Sequence, residues 1–351
     1  MGPLTKNQRQ VAEVPASLAR LLDVPVDAVE VRADPASGLP DRISAAEQTF
    51  AMEWTASSTA GPVAARAERA VIRAKELGKG VIPLLAVPFM GEAGRRACEA
   101  ARVPWFDLSG NAHIVAPGLR VIVAGQPNLF RSPGRPASLF APKSARVARW
   151  LLSHPGRTFT QREIARSTDM TEGYVSRIAG RLERDGYVIR DGSGALRAKD
   201  PSTLLDAWHE AYQFAKHTLV PGHVAARTGD ALARFVSDTF VAEEVVHAAT
   251  GLSAAWQMTH FAGFRVATFF VSAEPSIEVK ARLGFHEEAR GANLWLVLPN
   301  DAGVFQGAGD REGIRCVHPV QAYLDLKGHP ERADDAAVRL RTEILGGKPG
   351  A

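Results

Sequence analysis

Only two cysteines occur in 351 residues, Cys98 and Cys316, and they stand far apart with no metal-binding or redox spacing. That scarcity excludes a disulfide scaffold and a thiol redox motif, and it makes a reducing cytoplasm the expected setting. Long apolar runs are also missing. A membrane helix needs roughly 18 consecutive apolar residues, and the best stretch here, Val81 to Met90, is interrupted by Pro83 and Pro88. The polar start, Thr5 to Gln10, lacks the hydrophobic centre of a secretion signal. There is no internal repeat and no low-complexity tract. What is present is an apolar fraction of 46%, ample for packed cores, in a length that suggests two or three domains.

The most informative segment runs from Pro142 to Lys199. Ala145, Val147, Ala148, Trp150, Leu151 and Leu152 put apolar groups on one side of a first helix, which the His154-Pro155-Gly156 breaker ends. Thr160 followed three residues later by Glu163 is a capping box, so a second short helix starts there, with Ile164 and Ala165 facing inward. Thr171 is placed to cap a third helix, in which Val175, Ile178, Ala179 and Leu182 form the buried stripe while Tyr174, Arg177, Arg181 and Arg184 lie opposite. Gly186 sits where a left-handed terminator is needed. Tyr187 to Arg190, the turn Asp191-Gly192-Ser193-Gly194 and Ala195 to Arg197 then make a hairpin. Three helices closed by a hairpin spell a winged helix-turn-helix, whose expected ligand is double-stranded DNA.

Charge agrees. From Lys143 to Lys199 there are twelve Lys and Arg against six Asp and Glu, a local balance of +6; the whole chain is +4, which leaves the remainder at −2. In such modules the start of the third helix reaches base edges, while the first helix, the loop before the second and the wing hold phosphates. The expected base-reading residues are Thr171, Glu172, Tyr174, Ser176 and Arg177. The expected phosphate contacts are Thr158, Thr160, Gln161, Arg162, Arg181, Arg190 and Lys199. A winged helix that has lost DNA and binds only protein is the bland alternative, and cations on the solvent face of the third helix argue against it.

Punctuation by proline and glycine divides the chain into 1–125, 140–199 and 218–347, with a proline-rich linker from Gln126 to Pro136 and a helix over 200–217 leading onward. In the first part, strands are expected at Val29 to Val31, Thr49 to Thr55, Gly80 to Pro88, Trp105 to Asp107 and Leu119 to Val123. Helices are expected at Pro62 to Leu77 and Gly91 to Ala101. This alternation predicts a small α/β domain with a partly parallel sheet, and it resembles the restriction-endonuclease-like fold. An active nuclease of that type needs an acid-x-Lys pair beside a further carboxylate to hold a divalent metal. The best match, Glu53-Trp54-Thr55, lacks the lysine, and Asp41 and Asp107 stand alone, so an inactive domain is expected and a metal-dependent nucleic-acid-cleaving enzyme is the alternative. Phe106 to Ile114 is its most distinctive phrase, and Asp107 and Asn111 around Ser109-Gly110 predict a self-bonded turn.

The third part is expected to be an α+β domain. Helices are read at Asp230 to Phe240, Val241 to Thr250 and Gly251 to Met258, strands at Arg265 to Val271 and Ala292 to Leu298, and a last helix from His318. Gly251-Leu252-Ser253 resembles the Gly-Ser of nucleotidyltransferases, but the strand that would carry the metal-binding carboxylates has none. Gln306 to Gly313 has phosphate-loop glycines without the Lys-Ser/Thr ending and reads as a surface loop. His209, His217 and His223 do not have ligand spacing. Trp256, Phe261 and Phe264 read as core aromatics or as walls of an effector cavity. No cofactor or metal is implied.

Residues Ala86 to Met90, Trp105 to His113, the winged helix, and Val320 to Leu326 together resemble the AbiEi-type family of transcriptional regulators, the antitoxins of type IV toxin–antitoxin systems and their solitary relatives, over roughly residues 80 to 345. The resemblance implies a DNA-binding repressor whose partner toxin is a nucleotidyltransferase. In the simple antitoxins the winged helix opens the protein, whereas here a whole domain precedes it. The sequence thus predicts a cytoplasmic, non-enzymatic transcriptional regulator that binds duplex DNA as a homodimer, with a toxin or a small effector as further partner.

Overall fold

The computed structural model describes residues 5–34, 40–130 and 139–346. The expected linker therefore lies outside the described residues from Arg131 onward. The chain divides into two compact units, Met1–Pro136 with Arg184–Tyr187, and Ala137–Glu183 with Val188–Ala351.

In the first unit the elements are α1 (Lys6–Leu22), β1 (Glu30–Ala33), β2 (Pro40–Ala45), β3 (Gln48–Trp54), α2 (Ala60–Leu77), β4 (Ile82–Val87), α3 (Glu92–Ala100), β5 (Trp105–Asp107), β6 (Ala112–Ala116) and β7 (Leu119–Val123). All seven strands form one sheet in chain order. Only β3–β4 and β4–β5 are parallel, because α2 and α3 serve there as crossovers. Side chains alternate along β4: Leu84 and Ala86 join Val14 and Leu18 of α1 on one face, while Leu85 and Val87 join Val63, Ala67 and Ala70 of α2 on the other. A strand covered on both faces reads as a continuous apolar run, which is why this one was evident in the sequence. Strands β2 and β6 were not. The polar start Pro40-Asp41-Arg42 masks the first, and the second is absorbed into the Phe106 to Ile114 phrase.

That phrase is the turn expected. Asp107 accepts from the backbone NH and the side-chain amide of Asn111, both at 2.9 Å, and from the NH of Met90 at 3.0 Å. Asn111 in turn brackets Gln126, accepting from its NH at 2.9 Å and donating to its carbonyl at 3.2 Å. Both side chains are wholly buried, so the motif spends its polar atoms on the chain itself.

The second unit contains α4 (Pro142–Ser153), α5 (Gln161–Ser167), α6 (Glu172–Arg184), β8 (Val188–Arg190), β9 (Leu196–Ala198) and α7 (Pro201–Ala211). It continues with β10 (Thr218–His223), α8 (Gly229–Ala242), β11 (His247–Ala249), α9 (Gly251–Thr259), β12 (Ala267–Val271), α10 (Ile277–Leu283), β13 (His286–Glu287) and β14 (Leu294–Leu298). The last elements are β15 (Gly309–Arg311), β16 (Ile314–Cys316), α11 (Pro319–Asp325) and α12 (Ala333–Glu343). A second seven-stranded sheet has the order β13-β10-β14-β12-β11-β16-β15, and β12–β14 and β11–β16 are its parallel pairs. The molecule is thus a mixed α and β protein in more than one unit. Two expectations need correction. The helix read over Val241 to Thr250 is absent: α8 ends at Ala242, Glu244 turns the chain with φ 53°, and His247–Ala249 is a fully buried strand paired to β12. A short apolar run of this kind has no periodicity that separates buried strand from buried helix. Gln306 to Gly313 is likewise not a plain loop, since β15 begins within it and pairs with β16.

Helix α4 is tied to the C-terminal part of its unit by two arginines. Arg146 makes a two-pronged pair with Asp301, at 2.7 and 3.0 Å, and donates to the carbonyl of Thr168 at 2.9 Å. Arg149 is buried, stacks over Trp208 at 5.0 Å and donates to Gln321 at 2.5 Å. Burial pulls its pKa down to about 10, which leaves it charged at neutral pH. Beyond it, Gln321 donates to Asp325 at 2.8 Å and to the Tyr212 hydroxyl at 3.1 Å, and Tyr212 and Thr250 donate to Asp325. His217 accepts from the NH of Asn300 at 3.1 Å, so its other nitrogen carries the proton it shares with Tyr212 at 2.9 Å.

These buried groups set the acid sensitivity. Burial holds His217 down at about 4 and His318 down at about 4, and lowers His247 and His329. The unfolded chain protonates such rings near 6.5, so their contribution is full above that pH and is lost as pH falls towards 4; for His217 the loss at pH 5 is about 2 kcal/mol. Asp325, pushed up to about 6 by burial, acts oppositely, because the folded chain takes up its proton first as pH falls. Four histidines outweigh one carboxylate, so Tm is expected to fall between pH 7 and pH 5. Asp325→Asn should steepen that fall and His217→Asn should flatten it. A higher Tm at pH 5 than at pH 7 would contradict the assignment.

Candidate nucleic-acid interface

The winged helix assembles from local signals. Pro142 opens α4 at its first turn, where no NH partner is lost. Thr160 and Glu163 cap α5 reciprocally: the NH of Glu163 donates to Thr160 Oγ1 at 3.2 Å and the NH of Thr160 donates to Glu163 at 2.6 Å. Those bonds from Thr160, backbone first, hold the Glu163 carboxyl below its ordinary range. The NH of Tyr174 donates to Thr171 Oγ1 at 3.4 Å at the start of α6. Val175, Ala179 and Leu182 are fully buried on the inner side of α6, and Gly186 follows it with φ 75°. The wing turn is pinned by Asp191, which accepts from the NH of Ser193 at 2.9 Å and of Ala195 at 3.0 Å; the side-chain bond from Ser193 leads in keeping this carboxyl acidic. Phe159 exchanges two backbone bonds with Leu196, at 2.7 and 2.8 Å, an isolated antiparallel bridge that ties the loop before α5 to β9 of the hairpin.

Thr171, Glu172, Ser176 and Arg177 are exposed along the outer face of α6. Tyr174 is half-buried. Its hydroxyl lies 3.0 Å from Ser144 of α4 and its ring carries the Arg177 guanidinium at 5.1 Å. It therefore aims Arg177 outward as a cation stacked on a ring rather than extending into solvent itself. Glu172 is paired with Arg162 at 3.0 Å, so α5 and α6 present these two as one dipole. Among the residues expected at phosphates, Thr158, Thr160, Arg162 and Lys199 are exposed, and Gln161, Arg181 and Arg190 are half-buried. The Thr160 hydroxyl is committed to its cap, donating to Glu163 at 2.8 Å. Arg190 pairs with Glu183 at 2.8 Å. With its amide oriented to match its neighbours, Gln161 donates to Ser176 at 3.3 Å and accepts from Arg190 at 3.0 Å, which joins α5, α6 and the wing on one surface.

Three features escaped the sequence reading. Ser144 had no visible role before its bond to Tyr174. Gly173 and Gly180 stand seven residues apart on α6 with open space where a side chain would project; a glycine inside a helix costs about 1 kcal/mol against alanine, and one of its uses is to let backbone approach a ligand closely. Lastly, Arg146 and Arg149, counted in the basic excess, turn inward and add nothing to the outer face. The exposed cations of this segment include Lys143, Arg157, Arg162, Arg166, Arg177 and Lys199.

Among the described residues no helix is long and apolar enough to cross a membrane. No curated protein and no solved structure gives a match to the chain. A family model described as the MarR family does match, over residues 141–197, which are the elements α4 to β9 built up above. The segment is therefore similar to MarR-type winged-helix domains, and that similarity suggests a DNA-binding transcriptional regulator.

Proposed function

We propose that the chain is a sequence-specific DNA-binding regulator that acts as a homodimer, represses by occupying a promoter, and catalyses nothing. The observation that supports it best is the outer face of α6, where Ser176 and the ring-stacked Arg177 stand clear of the core beside the Gln161–Arg190 contact. A helix presented this way fits a major groove, and its flanking cations fit phosphates. The phrases at 86–90, 105–113 and 320–326 favour a relative of the AbiEi-type antitoxins, with a nucleotidyltransferase-type toxin or a small effector as further partner. Selection of bound fragments from random duplex DNA tests this reading. It should return a palindrome whose half-sites lie about one helical turn, or a multiple of one, apart. Absence of any preferred duplex over bulk competitor would overturn it.

A second reading, a metal-dependent nuclease, is favoured by one observation: Asp41 on β2 and the buried Glu53 on β3 border a small cleft of about 160 Å³ in the first unit, whose mixed sheet suits a restriction-endonuclease-like ancestry. Against it, Arg66 lies 2.7 Å from Glu53, Arg73 3.5 Å and Arg69 3.7 Å, while Arg73 also holds Asp41 at 2.9 Å. Guanidinium groups answer the negative charge that a divalent ion would otherwise neutralise. Supercoiled plasmid with Mg²⁺ should stay intact, and cleavage that disappears in Glu53→Ala would favour the nuclease instead.

A further inference from the structure

A concavity in the second unit is lined by none of the residues of α4 to α6 and by neither Trp256 nor Phe261. Its volume is about 550 Å³, within the range of small-molecule sites. Tyr212, Phe214, His217, Leu219, Trp295 and Val297 line it. Leu219 and Val297 are paired across β10 and β14, as are Pro221 and Trp295, so methyl groups and one indole share this face of the sheet. Phe214 and His217 close in from the connection after α7, their rings edge-on at 5.7 Å. Two of the wall residues, Tyr212 and His217, have their polar ends bonded. The Tyr212 hydroxyl meets Asp325, Gln321 and His217, and the second ring nitrogen of His217 accepts from Asn300. Lys327, also on the lining, donates to the carbonyls of His209 and Glu210.

We propose that this cavity binds a small, uncharged, planar aromatic molecule, and that occupancy is relayed to the winged helix through Tyr212, Gln321 and Arg149. The chemistry of the walls selects the occupant. Ring faces and methyl groups suit a flat apolar body, whereas a peptide would bring a row of backbone NH and carbonyl groups against walls that are mostly apolar, at a desolvation cost. The imidazole of His217, neutral at physiological pH, adds no charge, and the ammonium of Lys327 is turned to the carbonyls of His209 and Glu210. The relay is short. Tyr212 is both a wall and a hydrogen-bond partner of Gln321 at 3.1 Å, Gln321 receives Arg149 at 2.5 Å, and Arg149 belongs to α4, whose Ser144 contacts Tyr174 of α6 at 3.0 Å. A ligand that shifts the Tyr212 ring must alter this chain of bonds, which is the kind of physical linkage that couples two sites.

The relay rests on the DNA-binding reading, and the site itself does not. Titration of the full chain with 2-naphthol should show saturable binding at one site per chain, and Leu219→Arg, a change at a position already 40% exposed, should abolish it while leaving the fold intact by circular dichroism. Trp295→Ala should weaken binding at least tenfold. Saturating 2-naphthol should change affinity for the selected operator at least fivefold in the wild type. In Tyr212→Phe, which keeps the ring and loses the hydroxyl, the probe should still bind and the operator response should vanish. No saturable binding up to 1 mM, or binding indifferent to Leu219→Arg, overturns the site. Conversion of a dimer to monomers by Leu219→Arg overturns it too, since the cavity would then be a seam between chains. An unchanged operator affinity at saturation overturns the relay. Failure to find any preferred duplex would fall on the DNA-binding reading alone, because the titration needs no DNA.

Discussion

Replacement of Arg177 by alanine is expected to weaken binding to the selected operator by roughly 5- to 150-fold, the equivalent of 1–3 kcal/mol for a guanidinium that reads a base edge, while affinity for scrambled duplex falls far less. Arg177 is exposed, lies on the outer side of α6 and is braced by the Tyr174 ring at 5.1 Å. Removing the side chain leaves the core untouched, so any loss belongs to the interface. Tyr174→Phe keeps the brace and deletes only the bond to Ser144, so its effect should be smaller. Lys199→Ala should weaken operator and scrambled duplex alike and reduce the salt dependence, as expected of a phosphate contact. Fluorescence anisotropy on both duplexes separates these patterns. If Arg177→Ala lowers both affinities equally, this residue touches phosphate and the base-reading assignment fails.

Arg146→Ala should have the largest effect on stability, a loss of about 3 kcal/mol, because it leaves a largely buried carboxylate without its cation. The two side chains are only 14% and 12% exposed, and the same guanidinium also serves the Thr168 carbonyl. The surroundings cannot relax easily. A methyl group built on Gly303 would come within 2.6 Å of Asp301 Oδ1 and 2.8 Å of both Arg146 Cγ and Arg149 Nη1, so Gly303→Ala should destabilise by a separate, steric route. Urea denaturation of the full chain measures both. The double replacement Arg146→Met with Asp301→Leu should recover much of the loss, since an apolar pair no longer needs the missing charge. A loss under about 0.5 kcal/mol for Arg146→Ala would place the pair among ordinary surface bridges.

The contrast between these two arginines and the rest of the segment explains how far residues alone could be read. Helices α4, α5 and α6 and the wing were legible because their punctuation is local: a reciprocal cap at Thr160 and Glu163, a left-handed glycine at 186, an Asx-type turn at Asp191. Burial of Arg146 and Arg149 was not, since Asp301 is 155 residues away in the chain and Gln321 is 172. Nothing near α4 distinguishes an arginine destined for a carboxylate from one destined for solvent. The strand at His247–Ala249 failed for a related reason. Its chain reversal depends on a glutamate in the left-handed region, where sequence gives no glycine to announce it. In the first unit, the spacing of Arg66, Arg69 and Arg73 along α2 was visible, but its bearing on Glu53 required knowing that α2 lies against β3.

The inward turn of Arg146 and Arg149 also bears on dissection of the protein by truncation. A piece cut after the wing would strip Asp301, Gln321 and Trp208 from α4 and bare two guanidinium groups that the whole chain conceals. Such a fragment would cling to any polyanion more tightly than its parent, and its ionic-strength slope would register contacts the intact molecule never makes.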